Sequence, residues 1–341
     1  MQDIANAAGV GKATVSLALR DDPRLREETR RRIQKIASDM GYQTNAVVAN
    51  LMAQLRASKT PKFQATVGLV NVSGDKGIFR EVHTFQEWVS GCNKRAEQIG
   101  YGIDEFWLHE PGINPARLLK ILESRNIRGL ILAAVLEHGI LPEEYREIWN
   151  RFACVVVGIQ AVRPAMHFAC NDQYSTSFNA VRQVERFGYS KPALVIDAQI
   201  DSLLDYRFSA GFWGASHLFP QNRRIPIFNY SDKAQISFAA WFQKHKPDVI
   251  ITFHERIIEW LSAMNIKVPG EVGLVHLDHQ PSLTEWAGMK QNNHLVGMAA
   301  VDMLVGQLHR SEFGTPTFTK CTLIESSFIE GKTILRKIGK E

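Results

Sequence analysis

Short apolar runs alternate with helix-length amphipathic segments over residues 63–341, and this alternation constrains the fold more than any other feature. The apolar runs are strand-sized and cover residues 66–72, 102–107, 129–135, 154–159, 193–197, 225–230, 249–253 and 273–278. The periodic segments between them lie near residues 86–99, 115–125, 173–187, 205–218, 234–245 and 255–264. Such alternation is typical of parallel sheets with crossover helices. About eight strands over this length suggest two subdomains, so we predict an α/β body of two doubly wound parallel-sheet subdomains.

The first sixty residues have a different pattern, which predicts three short helices at residues 2–8, 12–20 and 27–40. Gly9 tolerates the left-handed turn that ends a helix, and the segment 21–23 (Asp-Asp-Pro) breaks the second one. Ala5, Ala8 and Ala18 are small enough to let two helices cross closely. A small all-α headpiece with a helix-turn-helix is therefore expected.

The excess positive charge lies entirely in this N-terminal segment. Residues 1–62 contain 11 Lys/Arg and 6 Asp/Glu, whereas the rest of the chain contains 29 of each, so the formal net charge of +5 belongs to the first fifth of the sequence. A basic module joined to a neutral body is typical of a protein that binds a polyanion such as DNA. A solvated basic helix surface is the alternative interpretation of the charge alone.

The segment DIANAAGVGKATVSLALRDDPRLREETRRRIQKIASDMGYQTN (residues 3–45) resembles the DNA-binding headpiece of the LacI/GalR family of transcriptional regulators. The resemblance implies a helix-turn-helix headpiece over residues 1–44, whose second helix reads the major groove of double-stranded operator DNA. In that frame Lys12, Ala13 and Leu17 face the groove. The candidates for phosphate or base contacts are Thr14, Ser16, Arg20 and Asn45.

Residues 45–56, NAVVANLMAQLR, resemble the hinge helix of the same family, and residues 45–62 form the hinge and linker. The resemblance places Leu51 as an apolar wedge that enters the minor groove and kinks the duplex. The sequence departs from the family at Thr44, where proline is common, and at Val48, where alanine is common. An ordinary amphipathic linker helix is the alternative.

For the body, the resemblance implies a fold of the periplasmic-binding-protein type. We expect the chain to cross between subdomains near residues 160–163, 289–293 and 318–322. The first effector subdomain then comprises residues 63–160 with 293–318, and the second comprises residues 163–289 with 322–334. A small-molecule effector, with a carbohydrate as the expected class, would bind in the cleft between them at the carboxyl ends of the strands.

Four residues are candidates for effector binding, by alignment with the family: Arg207, Phe208, His254 and Asp278. The family often has an arginine in an R-x-x-G motif, but here Arg207 comes one place early and Phe208 holds the aligned position. His254-Glu255 stands where the family often has Asn-Asp, and Gly158 where an aspartate is common. Asp278 is the retained family aspartate.

The sequence contains none of three common enzyme motifs. His254-Glu255 lacks the second histidine of the zinc-binding HExxH motif, and the chain has no GxSxG elbow and no phosphate-binding GxxxxGK[ST] loop. We expect no catalytic residues, no metal site and no cofactor. The expected assembly is a homodimer of the cytoplasm, associated with the nucleoid and not with the membrane. Four scattered cysteines are expected to be buried, reduced thiols. The alternatives are an α/β ligand-binding protein or an enzyme whose basic headpiece is incidental.

Overall fold

The computed structural model describes residues 2–19, 25–40, 63–231 and 233–337. The N-terminal part contains helices α1 (Gln2–Ala8), α2 (Lys12–Leu19) and α3 (Glu27–Asp39). Their bounds agree with the predicted ones to within a residue. The predicted hinge helix over residues 45–56 and the linker up to residue 62 lie outside the described residues.

Two α/β subdomains follow. The strands are β1 (Ala65–Asn71), β2 (Tyr101–Trp107), β3 (Gly129–Ala133), β4 (Ala153–Val157), β5 (His167–Asn171), β6 (Pro192–Asp197), β7 (Phe228–Tyr230), β8 (Val249–Thr252), β9 (Gly273–His276), β10 (Ala287–Lys290), β11 (Cys321–Ile324) and β12 (Ser327–Ile329). The helices are α4 (Ile78–Glu81), α5 (His83–Gln98), α6 (Pro115–Ser124), α7 (Arg146–Arg151), α8 (Gln173–Arg186), α9 (Ala198–Leu203), α10 (Arg207–Ser216), α11 (Gln235–His245), α12 (Ile257–Ala263) and α13 (Asn293–Arg310).

The strands form two six-stranded sheets with the same order. The first subdomain contains the sheet β11-β5-β4-β3-β1-β2, and the second contains β12-β10-β9-β8-β6-β7. Pairing is parallel throughout except between β10 and β12, which are antiparallel. Central strands such as β3 and β4 are buried at every position, as expected where helices cover both faces of a parallel sheet. The predicted α/β body of two doubly wound sheets is therefore confirmed, with one antiparallel edge strand added.

The chain crosses between the subdomains later than the sequence indicates at two of the three places. Strand β5 pairs with β4 in the first sheet, so the first crossing follows Asn171 and not residues 160–163. The second crossing lies between β10 and α13, within the expected range of 289–293. Strand β11 pairs with β5, so the third crossing falls between residues 324 and 327 and not at 318–322.

The four strands that the sequence pattern missed are short or lie near sheet edges: β5, β10, β11 and β12. In β11, exposed residues alternate with half-buried ones, because this strand lies at an edge of the first sheet. Its first residue, Cys321, is exposed, whereas the other three cysteines are buried. Short edge strands lack the continuous apolar run that reveals a central parallel strand in a sequence. In the part of the chain that is described, no helix combines the length and apolar character needed to cross a membrane.

Candidate nucleic-acid interface and ligand cleft

Helices α1 and α2 form a helix-turn-helix that is closed by a glycine turn. Gly9 has a φ of 64°, and the backbone N–H of Val10 donates to the carbonyl of Ala5 (3.0 Å). The buried faces of the three N-terminal helices meet in one small core, which consists of Ile4, Ala5, Ala8, Val15, Ala18, Ile33 and Ala37. The buried alanines at the crossing let α1 approach α2 closely, as the sequence predicts from their small size.

Side chains of helix α3 donate hydrogen bonds to backbone carbonyls at the C-terminal ends of the other two helices. The Gln34 side chain donates to the carbonyl of Ala18 near the end of α2 (2.9 Å), and Arg32 donates to the carbonyl of Ala8 at the end of α1 (3.3 Å). The last carbonyls of a helix have no partner within the helix, so these bonds stabilise both ends. The consequence is that α2 is held on a rigid support.

The predicted DNA-contacting residues of the described segment all lie on α2. Lys12 is its first residue and is exposed, while Thr14 and Leu17 are half-buried. Ala13 and Ser16 occupy the same helix. A recognition helix reads base edges with residues of its N-terminal part, where Lys12 stands. Arg20, Asn45 and Leu51 lie outside the described residues.

The second candidate site is the cleft between the two sheets, where the crossing segments are tied together. The Asn171 amide donates to the carbonyl of Gln291 (2.7 Å), and the Asn292 amide donates to the carbonyl of Glu325 (3.0 Å). The backbone N–H of Asp172 donates to the carbonyl of Ile324 (2.9 Å). These bonds connect all three crossings into one hydrogen-bonded junction between the subdomains.

Asp278 lies just after β9 and bonds across the cleft. Its carboxylate accepts from the Thr84 hydroxyl of α5 in the first subdomain (3.2 Å), and the Asn293 amide stands at 3.5 Å. Burial raises the pKa of this carboxyl, against the opposing effects of His276 and the Thr84 hydroxyl. The contact between Thr84 and Asp278 holds the two walls together, and a ligand hydroxyl could replace the threonine.

Arg207 opens helix α10 and faces the same cleft from the second subdomain. It follows two residues in the left-handed conformation, Asp205 and Tyr206 (φ 55° and 57°), and such strain is concentrated at functional sites. Within the described residues, the guanidinium donates to Oε1 of Gln160 (3.4 Å) and contacts Sγ of Cys170 (4.0 Å). It also lies 3.9 Å from Oδ2 of Asp205 and 5.9 Å from the centroid of the Phe168 ring. Its position is consistent with a ligand contact.

Phe208 and His254 are placed differently from Arg207. Phe208 is 1% exposed and packs edge-on against Phe253 with ring centroids 4.7 Å apart, inside the core of the second subdomain. Its placement favours a packing role over the predicted ligand contact, because adjacent helical residues point about 100° apart and Arg207 takes the cleft side. His254, half-buried after β8, stacks on Tyr230 at 3.5 Å.

The structure adds residues to the cleft beyond the four effector candidates. Trp88 lies one turn after Thr84 on α5, and its ring covers Gly158 so closely that a Cβ at this position would overlap the ring. Gly158 has a φ of 103°, so both its backbone and its lack of a side chain suit this position. Gln173 opens α8 and Asn293 opens α13. The signal for Gln173 was hidden because β5, the strand before it, was missed.

Two cavities lie near these residues. The larger, of about 520 Å³, belongs to the first subdomain alone and is lined at its rim by exposed carboxylates such as Glu137 and Glu143. The smaller is lined by residues of both subdomains, among them Gly158, Gln173 and Arg207, and has room for about 10 Å³. That is about enough for one water molecule, so the cleft must open to admit a larger ligand.

The chain is similar to known regulatory proteins in the sequence of its headpiece and in its overall fold. Residues 1–45 match the family model described as bacterial regulatory proteins, lacI family. The chain is 20% identical to the HTH-type transcriptional regulator MalR of Streptococcus pneumoniae serotype 4 over 311 residues, 89% of this chain and 91% of MalR. The lac repressor dimer bound to operator and the anti-inducer ONPF superposes with a TM-score of 0.57 at 17% identity, covering 98% of each chain. The transcriptional regulator CelR in complex with cellobiose gives 0.57 at 15% identity, covering 97% of this chain and 98% of that one. At these identities, the solved structures establish the fold.

Proposed function

We propose that this chain is a regulator of the LacI family, whose model its residues 1–45 match, and that it represses transcription by binding operator DNA as a homodimer. The observation that carries the proposal is the N-terminal helix-turn-helix, in which α2 begins with an exposed lysine on a packed support. The excess charge of +5 supports the same role, because it belongs to residues 1–62. The role is regulatory and not catalytic, as in the matched relatives, and is exercised at the nucleoid.

The proposed DNA contacts divide by their chemistry. Lys12 donates to guanine acceptors, while Ala13 and Leu17 offer apolar contact to a thymine methyl. Thr14, Ser16, Arg20 and Asn45 contact phosphates or bases, and Leu51 is the minor-groove wedge. A dimer presents two such headpieces, so the operator is a pair of inverted half-sites.

We propose that the body senses a small polar molecule in the cleft between the subdomains. The proposed first subdomain contains residues 63–171 with 293–324, and the second contains 172–292 with 327–337, following the strand order. Arg207 and Asp278 stand on the cleft walls, and the CelR–cellobiose complex supports a carbohydrate as the effector. A ligand changes DNA affinity only if it binds the open and closed arrangements unequally, with a coupling of about 1–3 kcal/mol.

The proposal is tested by selecting duplexes from a random pool with the full chain and measuring affinity by fluorescence anisotropy. We expect a palindromic site bound by two protomers, with affinity that falls steeply with salt. Lys12→Ala should relax base preference at one position of each half-site, by about 1–3 kcal/mol. Lys35→Ala, which removes the same charge from the exposed face of α3, is the matched control and should leave base preference unchanged. Selection of no common sequence would refute the proposal.

A further inference from the structure

Arg207 is a mostly buried cation whose charge is poorly compensated by the protein. Its side chain is 27% exposed, and within the described residues its recorded ion pair is to Oδ2 of Asp205 at 3.9 Å, beyond hydrogen-bond distance. The Asp205 side chain is itself 62% exposed to solvent. A guanidinium has five N–H donors, and removing it from water is unfavourable unless anionic oxygens replace the water. The geometry around Arg207 therefore calls for an anionic partner.

Polar atoms near Arg207 also lack partners. Oε1 of Gln173, a residue of the small cavity that Arg207 lines, finds no hydrogen-bond donor among the described residues, although Gln173 is 96% buried. Nε1 of Trp88, whose ring covers Gly158 in the wall of that cavity, likewise finds no acceptor in the described part of the chain. Buried polar atoms are normally hydrogen-bonded, and unsatisfied ones cost about 1–3 kcal/mol each. The closeness of these atoms to Arg207 therefore supports a polar ligand at this place.

The two ends of the cleft differ in charge. Asp278, with Thr84 and Asn293, forms an end that accepts hydrogen bonds from hydroxyls, and Oδ1 of Asn293 also lacks a donor within the described ranges. Trp88 connects this end to the Arg207 end, because it lies one turn from Thr84 and against Gly158. The cleft thus has a hydroxyl-binding end and an anion-binding end.

We propose that the effector is an acidic polyol, a sugar acid or sugar phosphate, whose carboxylate or phosphate binds Arg207. An adjacent hydroxyl of the ligand donates to Gln173, and the Trp88 N–H donates to a ligand oxygen. More distant hydroxyls bind at Asp278. This inference rests on the proposed effector-binding role of the cleft and adds the charge of the ligand to it.

The test uses the full chain and probes matched in size but not in charge. Thermal shift and calorimetry would compare gluconate with glucitol, glucose 6-phosphate with glucose, and inorganic phosphate as a minimal anion. The acidic member of at least one pair should bind about tenfold or more tightly than its neutral counterpart. Phosphate alone should give saturable stabilisation.

Substitutions then assign the effect to Arg207. Arg207→Gln should weaken the acidic ligand by about 10- to 100-fold, the value of charge-assisted hydrogen bonds, and should abolish the phosphate response. Arg207→Lys keeps the positive charge but lacks the planar, bidentate guanidinium, so it should retain part of the affinity. It replaces Arg207→Gln in the test if that variant folds poorly. Arg223→Gln removes an equal charge from the exposed segment beyond the other end of α10 and should change neither response.

The outcomes separate this inference from the proposed function. If neutral probes bind as tightly as acidic ones, or if no response depends on Arg207, the acidic-ligand proposal is overturned. If an acidic probe binds through Arg207 but never changes affinity for the selected operator, the ligand class stands and the sensing role fails.

Discussion

The substitution Ile33→Ala should strongly weaken DNA binding without changing any proposed DNA-contacting residue. Ile33 is fully buried between α3 and the two helices of the helix-turn-helix. Folded domains are stable by about 0.05–0.15 kcal/mol per residue, so a headpiece of 45 residues is stable by about 2–7 kcal/mol. Truncating a buried isoleucine to alanine costs about 2–5 kcal/mol. The loss is therefore comparable to the whole stability of the module.

The expected change in affinity follows from the folded fraction. If the headpiece is stable by about 3 kcal/mol and the substitution removes about 4, about 0.15 of the headpieces remain folded. A dimer needs both headpieces, so its affinity for the operator should fall by about 40-fold. Anisotropy with the selected duplex measures this, and circular dichroism checks that the body unfolds at its usual temperature.

Ile33→Val is the matched control, because it costs only about 0.5–1.5 kcal/mol and should leave the headpiece folded. Operator affinity that is unchanged in Ile33→Ala would refute the reasoning. It would show that the small core does not limit the stability of the DNA-binding module.

The other predictions concern the cleft. Phe208→Ala should destabilise the body by about 3–5 kcal/mol, as should Phe212→Ala one turn later, and neither should change ligand affinity at temperatures where the protein is folded; a selective loss of affinity in Phe208→Ala would contradict the packing role. Asp278→Asn should stabilise the protein near pH 7, because burial raises the pKa of this carboxyl in the folded state, so its contribution to stability is lost as pH rises through that pKa. The difference in melting temperature from wild type should shrink as pH falls toward 4; a difference independent of pH would count against it.

The sequence by itself determined the headpiece almost completely. Its helices are short and its contacts are local. The small residues that the sequence places at the helix crossing are buried there in the structure, so the local sequence pattern and the packing specify the same arrangement. The α/β body followed from alternation, because central parallel strands are buried on both faces and read as continuous apolar runs. These conclusions depend on neighbours in the chain and not on distant partners.

The orientation of the effector candidates Arg207 and Phe208 depends on the tertiary structure. Alignment placed Phe208 in the cleft and Arg207 beside it, but the start of α10 turns Phe208 into the core and Arg207 outward. One residue of a helix rotates the side chain by about 100°, and a sequence pattern does not fix that rotation near a strained turn. Asp278, two residues after strand β9, lies at the cleft beside Thr84, and its contact with an effector stays a prediction.

Only the tertiary structure decided which strands belong to which sheet and what meets across the cleft. Strand β5 joins the first sheet by pairing with β4, and β11 joins it by pairing with β5 from a distant part of the sequence. Both strands are short, so the crossings that follow them were misplaced from the sequence. The hydrogen bond from Thr84 to Asp278 joins residues separated by 194 positions. The contact between Trp88 and Gly158 joins two elements of the first subdomain that no local pattern connects. Local periodicity specifies which face of an element is buried, whereas the partner of that face is chosen by the packing of the whole chain.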